Sequence, residues 1–560
     1  AASDVYKRQS NYRTSGSEIG NKQGFLTYQV NRMKVLDAII TVLKKEGLEC
    51  LNCFPTTPII EAAAAQDIKP IVCRQERVGL GIADAYSRVT NGKKLSAFAM
   101  QYGPGAENAY PGVATAFSDS TPLLVLPLGH PLERDGVFPM FSSLKSYESI
   151  TKSIEQITTP SKSIDVLRRA IASMRNGRPG PAMVEIPEDI LNQDVEDSRV
   201  QNYKKIQCSK SMASSEEITN ISKIILGAKN PIIIAGAGVL YSESTKELAD
   251  FAELLQIPVM TTMEGKSSIS ERNHPLALGS GSGVMSDPVV HFMKKSDVVI
   301  ALGTSLTKHP MVTTIPPGKT IIHNTNDPRD LYKSYDIDYP ILGDTKLVLE
   351  QLITSCRDYL SGKIIRNDVA EEIFEVRKRY LKNWSKHLDS KGKPISPYRV
   401  ISEFMKNIDP KDAIVTHDAG SPRYQMMPFY QSDTPRSYLG WGKSHQLGTG
   451  LGFAIGAKLA APDKFCVNFM GDAAFGMTGL DFETAVRTKL PITTIVLKNS
   501  TMAIETNHMK ISHEKFKARD LDGDYADIAR SLGGWSEVID DPEAVSYTHL
   551  RAHETGRTLV

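Results

Sequence analysis

Two apolar runs near the C-terminal end constrain this chain most. Phe465-Cys466-Val467-Asn468-Phe469-Met470 closes on Gly471-Asp472-Ala473, and Ile492-Thr493-Thr494-Ile495-Val496-Leu497 closes just before Asn499. If both are strands of one parallel sheet, the Asp472 carboxylate and the Asn499 amide oxygen meet at its carboxyl edge. Open α/β sheets bind their ligands at that edge. A carboxylate, an amide oxygen and a nearby backbone carbonyl, here that of Thr501, are hard oxygen donors. Such a set suits Mg2+, which usually grips phosphates through a few protein oxygens. The backbone amides of Ala473 and Ala474 stand where a helix start offers donors to phosphate oxygens.

Upstream, short apolar runs alternate with helix-spaced stretches. Strands are expected at residues 50–54, 71–73, 96–100 and 123–126, then at 231–235, 259–262, 298–302 and 320–323. A helix is expected over 33–45, where Val35, Ile39, Val42 and Leu43 fall at helical spacing, and another over 78–90. Residues 192–216 read as a polar linker. The charged stretch 369–389 reads as a solvated helix or linker, and Pro394 and Pro397 mark a boundary. The expected fold class is α/β, with three consecutive doubly wound, mostly parallel-sheet domains over residues 26–197, 217–360 and 397–545.

Composition narrows the function classes. A net charge of +2 over 560 residues supplies no global field for nucleic acid or an anionic membrane. No apolar stretch approaches the roughly 18 residues that suggest a membrane span, and no signal peptide opens the chain. Six cysteines in so long a chain do not make a disulfide framework. Cys50 and Cys53 form a lone CxxC, which reads as part of a buried strand rather than a zinc or redox site. A cytoplasmic location is expected. Gly236-Ala237-Gly238 after the run at 231–235 lacks the third glycine of a dinucleotide fingerprint.

Several motifs, in one order along the chain, carry a resemblance. The turn at Gly471-Asp472-Ala473 followed by Asn499 resembles the diphosphate-binding motif of thiamine diphosphate enzymes, with Ala473 and Ser500 as small departures. Arg74-Gln75-Glu76-Arg77 resembles the catalytic-glutamate segment of the acetohydroxyacid synthase, pyruvate oxidase and pyruvate decarboxylase superfamily. The usual histidine is here Gln75, and the usual following glutamine is Arg77. Gln101-Tyr102-Gly103-Pro104-Gly105 is similar to the family's glycine-proline-glycine loop. The segment from Gln446 to Ala457 is similar to the one bearing the apolar wedge, and Asp418-Ala419-Gly420-Ser421 to a loop that touches the diphosphate.

The resemblance implies a pyrimidine-binding domain, a central Rossmann-like domain and a diphosphate-binding domain. It implies thiamine diphosphate and Mg2+ as cofactors; FAD is conceivable in the central domain but has no motif behind it. Glu76 becomes the acid that activates the aminopyrimidine, whereas alone it would read as an ordinary helix-start residue. Asp472, Asn499 and the Thr501 carbonyl become metal ligands. Gly420, Ser421, Gly471, Ala473 and Ala474 contact the diphosphate. Leu447 becomes the wedge, with the His445 carbonyl and the Leu447 amide facing the pyrimidine. Glu505 reads equally as a proton relay or a surface acid. His130 reads as a substrate-side histidine or a simple loop residue.

The implied reaction is acetolactate synthase-like decarboxylation of a 2-oxo acid with carboligation. A non-ligating decarboxylase is the runner-up, and a cofactor-binding regulatory homologue without turnover is the alternative of another class. The family's sites lie between subunits, so a homodimer or homotetramer is expected. Residues 1–25 read as adapter-like sequence plus an N-terminal extension, and residues 546–560 as adapter-like. The native chain is therefore expected to be interrupted near Val545, before a last strand and helix.

Overall fold

The computed structural model describes residues 31–281, 286–309, 314–362 and 366–545. The expected start near Leu26 and both adapter-like ends lie outside the described residues. Three parallel sheets follow one another along the chain. The first has six strands in the spatial order Lys69–Val72, Cys50–Cys53, Ala97–Met100, Leu124–Gly129, Ala182–Pro187, Ser153–Gln156. The second, also of six, runs Ala277–Ser280, Val259–Thr261, Pro231–Ala235, Val298–Leu302, Thr320–Thr325, Tyr339–Leu342. The third has four: Tyr438–Leu439, Ala413–His417, Phe465–Gly471, Thr493–Leu497.

These strands are apolar without alternation because helices cover both faces. Leu124–Gly129 and Ala182–Pro187 are buried at every position, as a parallel sheet requires. Cys50 and Cys53 sit in a fully buried strand, so their spacing reflects packing. Each sheet has an interior point at which the strand order reverses, opening a crevice at the strands' carboxyl ends. The reversal falls between Cys50–Cys53 and Ala97–Met100, between Pro231–Ala235 and Val298–Leu302, and between Ala413–His417 and Phe465–Gly471.

Four expectations change. Met33 and Lys34 belong not to a helix but to a short strand, Arg32–Lys34, which pairs antiparallel with Asp194–Glu196; the helix is Val35–Lys45. The expected linker 192–216 therefore begins inside ordered structure, with the helix Asp197–Gln201 following that strand. The strand expected at 71–73 is Lys69–Val72, which leaves Cys73 outside it. The charged stretch at 369–389 is not merely solvated. In the helix Val369–Leu388, Ile373 packs into the central core, while Tyr380 joins the core of the last domain. Its apolar residues recur at helical spacing beneath a charged surface, so one helix ties two domains.

The decisive packing joins the first and third domains. Helix Glu76–Val89 lies along helix Thr449–Ala460, and glycines let the two backbones touch. A Cβ on Gly452 would stand 2.7 Å from the Val78 carbonyl oxygen and 3.2 Å from the Gly81 Cα. A Cβ on Gly456 would overlap the Ile82 carbonyl. This contact forms within one chain.

Gly456→Val should force the two helices apart, at a cost of about 1–3 kcal/mol from overpacking. Urea unfolding of the variant should show a lower midpoint. A midpoint equal to that of the parent would mean the interface has room for a side chain.

Candidate active site

Three consecutive strand ends of the first sheet carry the pyrimidine-side residues. Glu76 opens the helix that follows Lys69–Val72 and is buried. Burial raises its pKa, opposed in part by hydrogen bonds from its own backbone and the Asn108 side chain. The loop after Ala97–Met100 closes over it: a Cβ on Gly105 would press the Gln101 side chain at 2.9 Å and lie 3.5 Å from Glu76 Oε1. Gly105 therefore leaves the carboxyl group its space. His130 follows Leu124–Gly129, and its ring packs 4.4 Å from that of Tyr102 in the same loop. The structure thus gathers Glu76, the glycine-proline-glycine loop and His130 on one rim.

The backbone just before Glu76 is held by an acid from the other domain. Asp481 Oδ1 accepts from the Arg74 amide at 2.8 Å and from Thr484 Oγ1 at 2.9 Å. Its Oδ2 is buried without a hydrogen bond. Burial pushes the Asp481 pKa up to about 6, against the pull of those donors. Nothing in the sequence marked this residue, because its importance comes from a contact between segments four hundred positions apart.

The third sheet builds the opposing wall. Asp472 follows Phe465–Gly471, and its Oδ2 accepts from the amides of Asn499 at 3.0 Å and Ser500 at 2.6 Å. The two strand ends are thereby locked together, as their composition suggested. Asn499 Oδ1 accepts from the Thr501 amide at 3.1 Å. The Ala473 amide, expected on a phosphate, donates to Asp472 Oδ1 at 2.9 Å.

The Leu447 turn is fixed from below by Asp418. Its carboxylate accepts from Gly448 and Gly450 amides, each at 2.8 Å, and from Ala419 at 2.8 Å. Burial nonetheless lifts its pKa to about 6. Gly448 takes a φ of 90° and packs under Thr478, whose hydroxyl donates to the Gly448 carbonyl at 3.0 Å. Arg77, the neighbour of Glu76, donates to the Leu447 carbonyl. The Glu76 turn and the Leu447 turn are thus tied together. A Cβ on Gly420, itself at φ 90°, would meet Leu447 Cδ2 at 3.9 Å and Ile504 Cδ1 at 3.8 Å. Ile504 is therefore the side chain of the Ala503–Asn507 turn that faces the wedge. Glu505, its neighbour, is half-buried on the same turn. His445 is exposed, and its backbone φ of 55° is left-handed.

The donor set fits a divalent cation and a diphosphate. Asp472 and Asn499 each engage backbone N–H groups, yet a carboxylate has about four lone-pair sites and an amide oxygen two. Oxygen from Asp472, Asn499 and the Thr501 carbonyl is the hard set that Mg2+ prefers. In the central crevice the glycines after Pro231–Ala235 are used in packing. Gly238 donates to the Gly303 carbonyl at 2.8 Å, and Cβ atoms on Gly236 and Gly238 would overlap the Gly303-Thr304 backbone. Chain packing accounts for those glycines.

Known proteins agree with this geometry. Residues 33–155 match the family profile described as "Thiamine pyrophosphate enzyme, N-terminal TPP binding domain". Residues 218–352 match its central domain and 418–560 its C-terminal TPP binding domain. The chain is 30% identical over 543 residues to the "Probable acetolactate synthase large subunit" of Methanococcus aeolicus, covering 92% of this chain and 89% of that protein. The chain belongs to the thiamine pyrophosphate enzymes. It is 28% identical to the "Probable acetolactate synthase large subunit" of Methanocaldococcus jannaschii, over 92% of this chain and 88% of that one. It is 26% identical to the "Acetolactate synthase large subunit" of Corynebacterium glutamicum, over 86% and 78% of the two chains. Among the described residues no helix is long and apolar enough to cross a membrane.

Asp481 gives this thiamine pyrophosphate enzyme a pH-dependent joint. Its folded pKa of about 6 lies above the ordinary aspartate value of 3.8. The folded chain therefore holds the proton more tightly than the unfolded one. That contribution is fully present below pH about 4 and lost as pH rises through about 6. The ionised group then costs at most about 3 kcal/mol, two pKa units at about 1.4 each. Asp481→Asn keeps the acceptor for the Arg74 amide and stays neutral. Its stability relative to the parent should climb between pH about 4 and 7 in parallel urea titrations. A constant difference across that range would show that Asp481 does not titrate there.

Proposed function

We propose that this chain is a Mg2+- and thiamine diphosphate-dependent enzyme that decarboxylates a 2-oxo acid and joins the remaining acyl unit to an acceptor carbonyl. The observation that carries the reading is Glu76: a buried carboxyl group of raised pKa, in a turn tied to the Leu447 turn. The relatives named acetolactate synthase support carboligation over simple decarboxylation. A homodimer or homotetramer is the working form we propose from the same resemblance, with a cytoplasmic location.

When bound, thiamine diphosphate supplies a carbon nucleophile and an electron sink. This chain's residues do the rest. Asp472, Asn499 and the Thr501 carbonyl hold Mg2+, and the Ala474 amide, Gly420, Ser421 and Gly471 border the diphosphate. Leu447 would pack against the bound cofactor as an apolar wedge, with its own amide and the His445 carbonyl facing the pyrimidine. Glu76 holds a proton at its carboxyl group and shares it with the pyrimidine ring nitrogen. Its burial raises its pKa and so favours the form that carries the proton. The Gly105 loop keeps the carboxyl's surroundings closed. His130, on the same rim, and Glu505, on the turn beside Leu447, are the groups we propose for proton exchange with substrate.

Asp472→Asn retains the shape but removes the charge that faces the cation. The dissociation constant for thiamine diphosphate in the presence of Mg2+, measured by calorimetry, should rise by about a hundredfold, which corresponds to roughly 2.7 kcal/mol. Affinity equal to that of the parent would remove Asp472 from the metal site.

Product analysis tests the reaction. Cofactor-loaded protein given pyruvate should release a 2-hydroxyketone, detected by mass spectrometry. Glu76→Gln, which cannot share a proton in the same way, should slow this by about two orders of magnitude or more. Free aldehyde as the sole product would favour the decarboxylase, and no consumption of any 2-oxo acid would favour a binding protein.

A further inference from the structure

We propose that Arg423, with His445 and His309 in front of it, recognises the carboxylate of the substrate, an inference that rests on the 2-oxo acid chemistry proposed above. Three arginines of the described chain are buried. Arg88 faces Asp84 and Asp119, and Arg399 faces Glu403. Arg423 is buried as deeply, at 3% exposure, and forms no ion pair among the described residues. Its Nη1 donates to the Gly442 carbonyl at 3.3 Å and approaches His445 Nδ1 at 3.3 Å; its Nη2 donates to Tyr424 Oη at 3.1 Å. The guanidinium also stands 4.9 Å over the Tyr424 ring. All these neighbours are neutral. A buried charge without a counter-charge is expensive, and a guanidinium is the group best shaped to take a carboxylate through paired N–H bonds.

The cluster sits where substrate must come. Arg423 lies three residues beyond Gly420, where an added Cβ would stand 3.9 Å from Leu447 Cδ2, and His445 is two residues before Leu447. His309, from the central domain, brings its ring to 4.9 Å from that of His445, stacked, with the two Nε2 atoms 3.4 Å apart. On the other side, Ser444 and Gln446 reach helix Pro104–Ser118 of the first domain, through Thr115 and the Pro111 carbonyl. Three domains thus converge around His445, with the Arg423 guanidinium behind its ring.

The backbone of His445 supplies an independent sign. A φ of 55° lies in the left-handed region, which suits glycine and disfavours a residue with a side chain. Keeping an imidazole there needs a use for the imidazole. Partial burial, then Arg423 and His309, lower the pKa of His445. An arriving carboxylate would accept from Arg423 and from ring N–H groups together.

The test uses cofactor-loaded full-length protein and oxamate, a carboxylate isostere of pyruvate that cannot lose CO2. Oxamate should bind the parent. Arg423→Met should weaken that binding by about tenfold to a hundredfold, the range of a hydrogen bond to a charged group. Arg423→Lys should recover part of it, and thiamine diphosphate affinity should hold in both. His445→Gly, which relieves the left-handed strain, should fold at least as stably as the parent and still bind oxamate more weakly. Absent oxamate binding in the parent, or equal binding in Arg423→Met and the parent, would overturn the proposal; so would parallel loss of oxamate and cofactor affinity in Arg423→Met together with unchanged oxamate binding in His445→Gly. Arg423-dependent oxamate binding without turnover of any 2-oxo acid would instead sink the proposed reaction and leave the anion site standing. If turnover occurs, acetaldehyde offered as a neutral acceptor assigns the carboxylate. A KM defect that disappears with acetaldehyde places it on the acceptor, and one that persists places it on the donor.

Discussion

The contact between helices Glu76–Val89 and Thr449–Ala460 is the constraint on which the site depends. Each helix begins at a functional turn, Glu76 on one and the Leu447 segment on the other. Because the helices touch backbone to backbone at Gly452, Gly456 and Gly81, their separation is set by main-chain atoms rather than by flexible side chains. Close-packed interiors yield little. The position of Glu76 relative to Leu447 is thus fixed by the parts of the chain least able to move. Arg77 then ties the two helix starts through one hydrogen bond, and Asp481 holds the backbone just before Glu76.

Much of this architecture was legible beforehand, for identifiable reasons. Strands buried on both faces are continuous apolar runs, so Pro231–Ala235 and Val298–Leu302 stand where the sequence pattern placed them. The junction of Asp472 with Asn499 followed from two such runs ending in oxygen-bearing residues. What escaped was tertiary. Ser153–Gln156 is an edge strand of mixed polarity, and Tyr438–Leu439 is two residues long, so neither has a periodic signature. The ribbon that captured Met33 owes its existence to a partner at Asp194–Glu196 far along the chain. In Val369–Leu388 the charges concealed an apolar stripe because composition was weighed ahead of spacing.

The site residues divide in the same way. Glu76, Gly420, Leu447 and Asp472 lie in motifs with turn chemistry, so they were found. Asp418 was seen only as part of a loop, yet its carboxylate organises the Leu447 turn through two glycine amides. Asp481, Arg423 and His309 carry no local signal at all. Each acquires its meaning from a residue in another segment: the Arg74 amide, the His445 ring, or the absence of an acid beside a buried guanidinium.

The electrostatics of the site share one physical cause. Glu76, Asp418 and Asp481 are three carboxyl groups whose pKa values are raised, first of all by burial. Desolvation penalises the charged form of any group, yet its consequences differ with what surrounds the group. Asp418 receives three backbone N–H donors and serves as a structural clamp. Asp481 keeps one oxygen unpartnered and makes the domain joint sensitive to pH. Glu76 sits beneath a glycine loop that leaves space beside its carboxyl oxygen, so its retained proton has somewhere to go. Arg423 is the counterpart of opposite sign, since a guanidinium cannot shed its proton to escape the same penalty. These three acids can neutralise themselves and Arg423 cannot, which leaves a lasting buried charge beside His445. That charge is positive, and an anionic substrate is the simplest thing to complete it.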